Sequence, residues 1–257
     1  MSYLTICGIP VPVSKMSQRV VRFGAKGFSF SGRVNKAQRA WVREWTCETT
    51  PQTTDVAEAF RALIDGRGHV FAGDDLYAST GLSFDAGHTI VAGWTGGAAK
   101  YGDWLTNGAS GGTVSTGFAS GYSVAYWLYA STGWLSADSQ WHHVTQIRSA
   151  GGALTKYDNG VTTSGAVPLS LGSGGVVTIA GTTNAAFDDL MLLDAPIPAT
   201  WAPLLAATTQ AFAELPYLVT GGDFGGFDVL GEVQDSEAFT LNGVAQERIT
   251  FTLTEVL

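Results

Sequence analysis

"WHHVTQIRSAGGALTKYDNGV", Trp141 to Val161, is the stretch on which the fold turns. Its adjacent histidines, His142 and His143, with Arg148 and Asp158 close by, have the composition of a catalytic or metal site. The spacing of its apolar residues points elsewhere. Successive side chains of a strand leave on opposite faces, so Trp141, His143, Thr145 and Ile147 share one face and His142, Val144, Gln146 and Arg148 the other. Histidines so placed cannot chelate one ion together or share one proton. "SAGG" turns the chain and "ALTKY" forms the next strand. Asn159-Gly160 is the dipeptide that favours the left-handed conformations of a type I′ hairpin. The stretch reads as a three-strand meander, with a structural histidine pair.

The same pattern spreads in both directions. "SFDAGHTIVAG", "GGTVSTGF", "YSVAYWLY" and "GVVTIAG" are short β segments divided by Gly, Ser and Asn, the spacing of a sandwich or jelly roll. Upstream, "YLTICGIPVPV", "QRVVRFG", "GFSFSGRV" and "AWVREWTCETT" read as further strands, and downstream so do "LPYLVTGG", "GFDVLGEV" and "ERITFTLTEVL". The period changes at "TTPQTTDVAEAFRALIDGRG", where Val56, Phe60, Leu63 and Ile64 share one helical face. Asp55 and Glu58 have capping-box spacing, and Gly66 marks the stop. A short helix is expected from about Thr200, with Trp201, Leu204 and Leu205 facing inward.

Composition agrees. The chain has 257 residues, 33 of them Gly, with 11% aromatic and only 14% charged residues, a β-rich profile rather than a disordered one. Its net charge of -8 is unevenly spread. Residues 1–67 carry ten Lys and Arg against five Asp and Glu, whereas residues 68–257 carry four against seventeen. Lys15, Arg19, Arg22, Lys26, Arg33, Lys36, Arg39 and Arg43 alternate with apolar residues instead of forming a run, which suits a solvated face or an interface with an acidic neighbour better than a nucleic-acid arm. Cys7 and Cys47 give no zinc pattern, though they could face each other on neighbouring strands. The start lacks the basic region of a signal peptide, and no segment approaches the ~20 apolar residues of a membrane span. A soluble protein made in the cytoplasm without an export signal is expected.

A Trp-His-His-Val strand, a strand closing in "KYDNGV" and a later "FDDLMLLDAPIPATWAPLL" together resemble the pattern of concanavalin A-like or laminin G-like jelly rolls, over residues 82–205. That resemblance implies a fold that often binds saccharides, sometimes with calcium. The flanking "RAWVREWTCETTPQTTDVAEAFRALIDGRGHVFAGDDLYASTGL" and the terminal "ERITFTLTEVL" resemble recurring segments of tailed-phage minor tail proteins. Together the two resemblances imply an all-β protein: a discontinuous β platform with one amphipathic helix, residues 1–80 and 206–257, carrying an inserted jelly roll, residues 81–205. Distal tail proteins of long-tailed phages have a similar plan. The expectation that follows is a virion component that forms a ring, six copies fitting the family, against tail-tube and baseplate-hub proteins. Its jelly roll would meet a host-surface saccharide, with no nucleic-acid binding and no membrane insertion.

Chemistry has less support. HExxH, GxSxG, Walker A and dinucleotide fingerprints are all absent from the sequence. Asp188 and Asp189 are neighbours facing opposite ways, and Asp228 and Glu232 share a face but fall in the platform, so the paired carboxylates of a glycosidase are not evident. No catalytic residue is assigned. Asp158, Asn159, Asp188 and Asp189 could supply oxygens to calcium, but a turn at Asp158-Asn159 and a strand-edge role for Asp188 or Asp189 compete strongly. For saccharide contact, Trp94, Trp104 and Trp134 lie in loop-like contexts, whereas Trp127, Trp141 and Trp201 suit the core. A stand-alone lectin and a polysaccharide-degrading enzyme are the competing readings.

Overall fold

The computed structural model describes residues 4–28, 34–65, 82–85, 104–107, 112–115, 118, 121–130, 133–179, 186–208, 217–220 and 226–256. For residues 22–28, 34–40, 82–85, 104–107, 112–115, 179, 186–190, 217–220 and 226–228 it describes the backbone alone. The fold is all-β. The elements run β1 (Leu4–Ile6), β2 (Ile9–Val11), β3 (Val13–Phe28), β4 (Val34–Thr49), β5 (Gln52–Thr53), α1 (Thr54–Ile64), β6 (Leu82–Asp85), β7 (Trp104–Asn107), β8 (Gly112–Ser115), β9 (Tyr122–Tyr129) and β10 (Trp141–Arg148). They continue with β11 (Leu154–Asp158), β12 (Val161–Thr162), β13 (Leu169–Leu171), β14 (Val176–Ile179), β15 (Ala186–Leu193), α2 (Trp201–Ala207), β16 (Tyr217–Thr220), β17 (Gly226–Leu241) and β18 (Val244–Glu255).

These strands form three antiparallel sheets. An eight-stranded sheet in the order β2-β1-β16-β17-β18-β4-β3, with β5 beside β18, draws on both flanks of the chain. The middle of the chain supplies a seven-stranded sheet, β12-β11-β10-β9-β15-β7-β6, and a three-stranded one, β13-β14-β8. The meander expected around the histidines is present as β10, β11 and β12, with Arg148 opposite Leu154 and Asp158 opposite Val161. Asn159 and Gly160 both take positive φ, 47° and 80°, as a type I′ turn requires.

Strand lengths depart from expectation. The pieces "VRFG" and "GF" do not separate, because β3 runs 16 residues through Gly24 and Gly27 and absorbs the irregularity as a register shift between Phe23 and Gly24. β17 likewise runs on past "GFDVLGEV" for 16 residues, with a shift opposite β18 between Val233 and Asp235.

The seven-stranded sheet has apolar packing on both faces. Tyr122, Val124, Tyr126 and Leu128 of β9, Val144 of β10 and Leu192 of β15 meet Leu169, Leu171 and Val177 of the three-stranded sheet. On the reverse face Ala125, Met191 and Leu193 join a second core with Phe60, Leu63 and Ile64 of α1, Trp201 and Leu205 of α2, and Trp45, Phe251 and Leu253 of the eight-stranded sheet. Phe60 and Trp201 meet at a tilt, 4.9 Å between ring centroids. Buried Ser123 fastens β9 to the segment before α2, donating to Ala195 O and accepting from Ile197 N, each at 2.9 Å. Within the sandwich, Gln146 Nε2 donates to Leu169 O at 2.7 Å and to the Tyr126 hydroxyl at 3.2 Å, tying the two sheets together.

Three local expectations need correction. The capping box on α1 does not form: Thr53 is the N-cap without a side-chain bond, Asp55 sits inside the first turn, and Glu58 turns to Arg61 at 2.6 Å. Arg61 also pairs with the buried Glu247 of β18, so the helix surface is anchored sideways rather than capped. In α2, Trp201 and Leu205 are buried as expected, but Leu204 is exposed because Ala202 completes the inner face. Cys7 lies in the β1–β2 turn and Cys47 on β4, strands that are not neighbours, and no disulfide joins these buried thiols. Burial pushes the Cys47 thiol up to about 12, which leaves it unreactive.

Gly160 is constrained twice. Its φ is 80°, and a Cβ there would stand 2.5 Å from Pro203 Cα and 2.9 Å from Pro203 N, where the β11–β12 turn leans on α2. Gly243 has a similar φ of 78° with nothing within 4 Å. Gly160→Ala should therefore cost about 2–4 kcal/mol, left-handed strain plus overpacking, and Gly243→Ala only about 1 kcal/mol. Urea unfolding of the two variants measures the difference, and equal losses would contradict the close approach to Pro203.

Candidate functional site

A cluster of polar side chains lies at one rim of the sandwich, where β10 begins, the loop of residues 133–140 ends and the β11–β12 turn closes. Strand alternation decides the geometry. His142 points to the sandwich side of the sheet with Val144, and His143 to the opposite side with Ile147, which packs on the second core. Because both faces are covered, both histidines are buried, but only His142 finds polar partners at the rim.

His142 Nδ1 lies 2.7 Å from Asp158 Oδ1, and its Nε2 lies 3.1 Å from both carboxylate oxygens of Asp138. Ser136 Oγ is 3.4 Å from Nε2, and Asn159 Nδ2 is 3.2 Å from Nδ1. One protonation state satisfies the two carboxylates together, an imidazolium that donates through both nitrogens. Burial pulls the His142 pKa down, but the hydrogen bonds and charges of Asp158 and Asp138 outweigh it, and the net shift is upward. Desolvation acts to raise the Asp138 carboxyl. It is outweighed by hydrogen bonds from His142, Ser136 and the Gln140 N–H, so this pKa falls. Asn159 completes the corner by accepting from His143 N at 2.9 Å, while its own N–H donates to His143 O at 2.8 Å.

The loop that delivers Asp138 is strained. Leu135, Ala137 and Ser139 take positive φ of 44°, 51° and 61°, each costing about 1–2 kcal/mol for a residue with a Cβ. What holds it is packing of Trp134 and Leu135 against the sandwich core and a set of backbone bonds. Leu135 N donates to Ala166 O and Ser139 N to Ala130 O, each at 2.9 Å.

Ser136, His142 and Asp158 have the order of a nucleophilic triad. For that use Nε2 would have to serve the serine, but it lies 3.1 Å from both Asp138 oxygens and 3.4 Å from Ser136 Oγ, so the nitrogen facing the hydroxyl is shared with a carboxylate. The arrangement instead presents carboxylate, hydroxyl and amide groups beside an aromatic side chain.

Sequence candidates fall unevenly on this geometry. Asp158 belongs to the cluster, as a partner of His142. Asp188 and Asp189 lie on β15, where only the backbone is described, with Asp188 opposite Trp127 and Trp104. No group of three or more His, Cys, Asp or Glu among the described residues is arranged to hold a metal ion. Trp134 is half-buried on the loop beside Asp138, Trp104 lies on β7 with its backbone alone described, and Trp94 lies outside the described residues. Trp127 and Trp201 are core residues, as their strand and helix contexts suggested, whereas Trp141 is only half-buried, against Tyr129. Sequence reasoning missed Asp138 and Ser136. The signal it passed over was "SADSQWHH", a polar loop delivered straight into a histidine strand.

No protein-family model matches the chain, and no curated protein matches it. No helix among the described residues is long and apolar enough to cross a membrane.

The adjacent histidines should titrate with opposite effects on stability. His142 has a folded pKa above its ordinary 6.5, so its contribution is complete below pH 6.5 and is lost as pH rises through the folded value. His142→Gln should cost about 1–2 kcal/mol at pH 6, partner exposure keeping it modest, and the gap from wild type should narrow towards pH 9 in urea titrations. His143, pushed down to about 3 by burial, contributes fully above 6.5, and that contribution drains away as pH falls towards 3 at up to ~1.4 kcal/mol per pH unit. His143→Leu should flatten the acid limb of the stability profile between pH 6 and 4. An acid limb as steep as wild type would show that this histidine is protonated in the folded state.

Proposed function

We propose that this chain is a non-enzymatic structural component of a phage tail tip or baseplate, of the distal-tail kind. Residues 1–80 and 206–257 serve as a ring-forming platform, and residues 81–205 serve as an inserted concanavalin A-like jelly roll for host-surface contact. The observation that carries the reading is the eight-stranded sheet assembled from residues 4–53 and 217–255, while the intervening strands form a separate two-sheet sandwich. A lectin acting alone needs the sandwich but gives no use to the outer sheet and its long hairpins. A polysaccharide-degrading enzyme needs a carboxylate pair poised for acid–base work, whereas the acids gathered around His142 are engaged by its ring.

The sandwich rim supports the display half of the reading. Asp138, Ser136, Asn159 and half-buried Trp134 are the residue types that hydrogen-bond sugar hydroxyls and stack on sugar faces. Weak contacts there would gain strength by avidity when repeated around a ring.

Light scattering on the size-exclusion peak, with negative-stain imaging, should find a closed ring of several copies with a central opening. A monodisperse monomer that binds glycans tightly would instead favour the lectin. Polysaccharide cleavage abolished by changing a single acidic residue would favour the enzyme.

A further inference from the structure

Two hairpins leave the eight-stranded sheet from opposite ends. β4 and β18 pair only from Thr250 opposite Glu48 to Thr254 opposite Glu44. Beyond Glu44, among the described residues, the β3–β4 hairpin continues without another strand as far as Phe28 opposite Val34. Beyond Glu48 the β17–β18 hairpin continues to its own tip at Asn242-Gly243, with β5 pairing only at Gln246 and Glu247. Isolated two-stranded ribbons are marginal in water. The β17–β18 ribbon shows why: Gln234 to Ala238 are exposed in succession, on both faces, where a sheet resting on a core would bury alternate residues.

The two ribbons are oppositely charged. Residues 13–43 contain Lys15, Arg19, Arg22, Lys26, Arg33, Lys36, Arg39 and Arg43 and no Asp or Glu. β17 contains Asp228, Glu232, Asp235 and Glu237 and no Lys or Arg. Each ribbon also ends the sheet on its own flank. Among the described residues β3 has β4 as its sole neighbour, and β17 leaves β16 after Asp228. The Val233 N–H is taken by Asp65 Oδ1 at 2.7 Å, and among the described residues no strand pairs with the outer edge of β17 from Asp235 to Leu241. Apolar side chains accompany both edges: Leu241 and Val244, 46% and 49% exposed, flank one tip, and Val20 and Trp41, 51% and 46% exposed, sit at the base of the other ribbon.

We propose that the acidic outer edge of β17, Asp235–Leu241, in one copy pairs as an added strand with the basic outer edge of β3 in the next copy. The contact is head-to-tail, because its halves lie on opposite flanks of one sheet, and a head-to-tail contact closes into a ring when its rotation permits. A second copy is the occupant because each copy carries both complementary edges. Edge addition supplies backbone hydrogen bonds, and opposite charge favours this register over the like-with-like pairing that open edges otherwise invite. The inference rests on the ring reading and names the contact that builds it.

The test uses the full chain, wild type and two charge-reversal variants, Asp235→Lys/Glu237→Lys and Arg22→Glu/Lys26→Glu, followed by light scattering and circular dichroism. Each variant alone should associate at least about tenfold more weakly than wild type, because it places like charges edge to edge. Mixed in equal amounts they should regain the wild-type mass, since each then faces an opposite partner at both edges. Wild type should also dissociate as salt rises. Carbodiimide, which joins amines to carboxylates in contact, gives a readout without substitutions: crosslinked peptides should link Lys15, Lys26 or Lys36 to Glu232, Asp235 or Glu237 between copies. A wild-type monomer at every concentration would overturn the ring itself. An intact oligomer in both variants, a mixture that stays dissociated, or an oligomer lacking those crosslinks would overturn the edge contact and leave the ring standing. If either variant fails to fold, the crosslinks decide.

Discussion

The structure depends on one sheet being dry on both sides. β9, β10 and β15 give alternate side chains to two separate apolar cores, Tyr122, Val124, Tyr126 and Leu192 to one, Ala125, Met191 and Leu193 to the other. Among the described residues these strands are covered over most of both faces, so a polar group they carry is stabilised by a partner within the protein. Ser123 finds Ala195 and Ile197, and the Gln146 amide nitrogen finds Leu169 and Tyr126 while its Oε1 is left without a partner among the described residues. His142 and His143 obey the same constraint and reach opposite solutions. One lies between carboxylates at the rim that draw its pKa upward, the other has its pKa pushed down by burial beside Trp127, at 5.1 Å between ring centroids.

That constraint also marks what the sequence made legible. "YSVAYWLY" is apolar almost without interruption, the pattern of a strand covered on both faces, and it lies at the centre of its sheet. The type I′ turn at Asn159-Gly160 and the apolar stripe of Phe60, Leu63 and Ile64 were equally plain, because each is set by residues within a turn or two of one another. The His142–Asp158 contact was hidden for the opposite reason. Asp158 lies diagonally from His142 because Arg148 pairs with Leu154, and that register depends on how many residues the turn after β10 consumes. Glycines misled in another way: Gly24 and Gly27 look like breaks, but a long strand accommodates them with a bulge. Pairing between distant segments, β1 with β16 and β4 with β18, has no local signature at all.

The candidate site follows the same division. Its strand residues are placed by alternation, whereas Ser136 and Asp138 are placed by a loop whose left-handed residues no propensity would favour. A loop under such strain persists when its surroundings over-determine it, here through Trp134, Leu135 and the backbone bonds to Ala166 and Ala130.

The interleaving of the chain's two flanks carries a consequence for biosynthesis. Buried Thr49 accepts the Ile249 N–H across 200 residues of sequence, and among the described residues β4 has no strand partner but β3 until β18 exists. At ~5–20 residues per second on the ribosome, about 10–40 s separate the two strands. During that interval β3 and β4 are a basic hairpin with an open edge, whereas the sandwich strands, all encoded in between, can already close on one another. Non-local pairing of this kind is slow to form and prone to capture by the wrong edge. The absence of acidic residues from 13–43 then acts as a kinetic guard, since nascent hairpins on neighbouring ribosomes repel each other until their own β18 arrives.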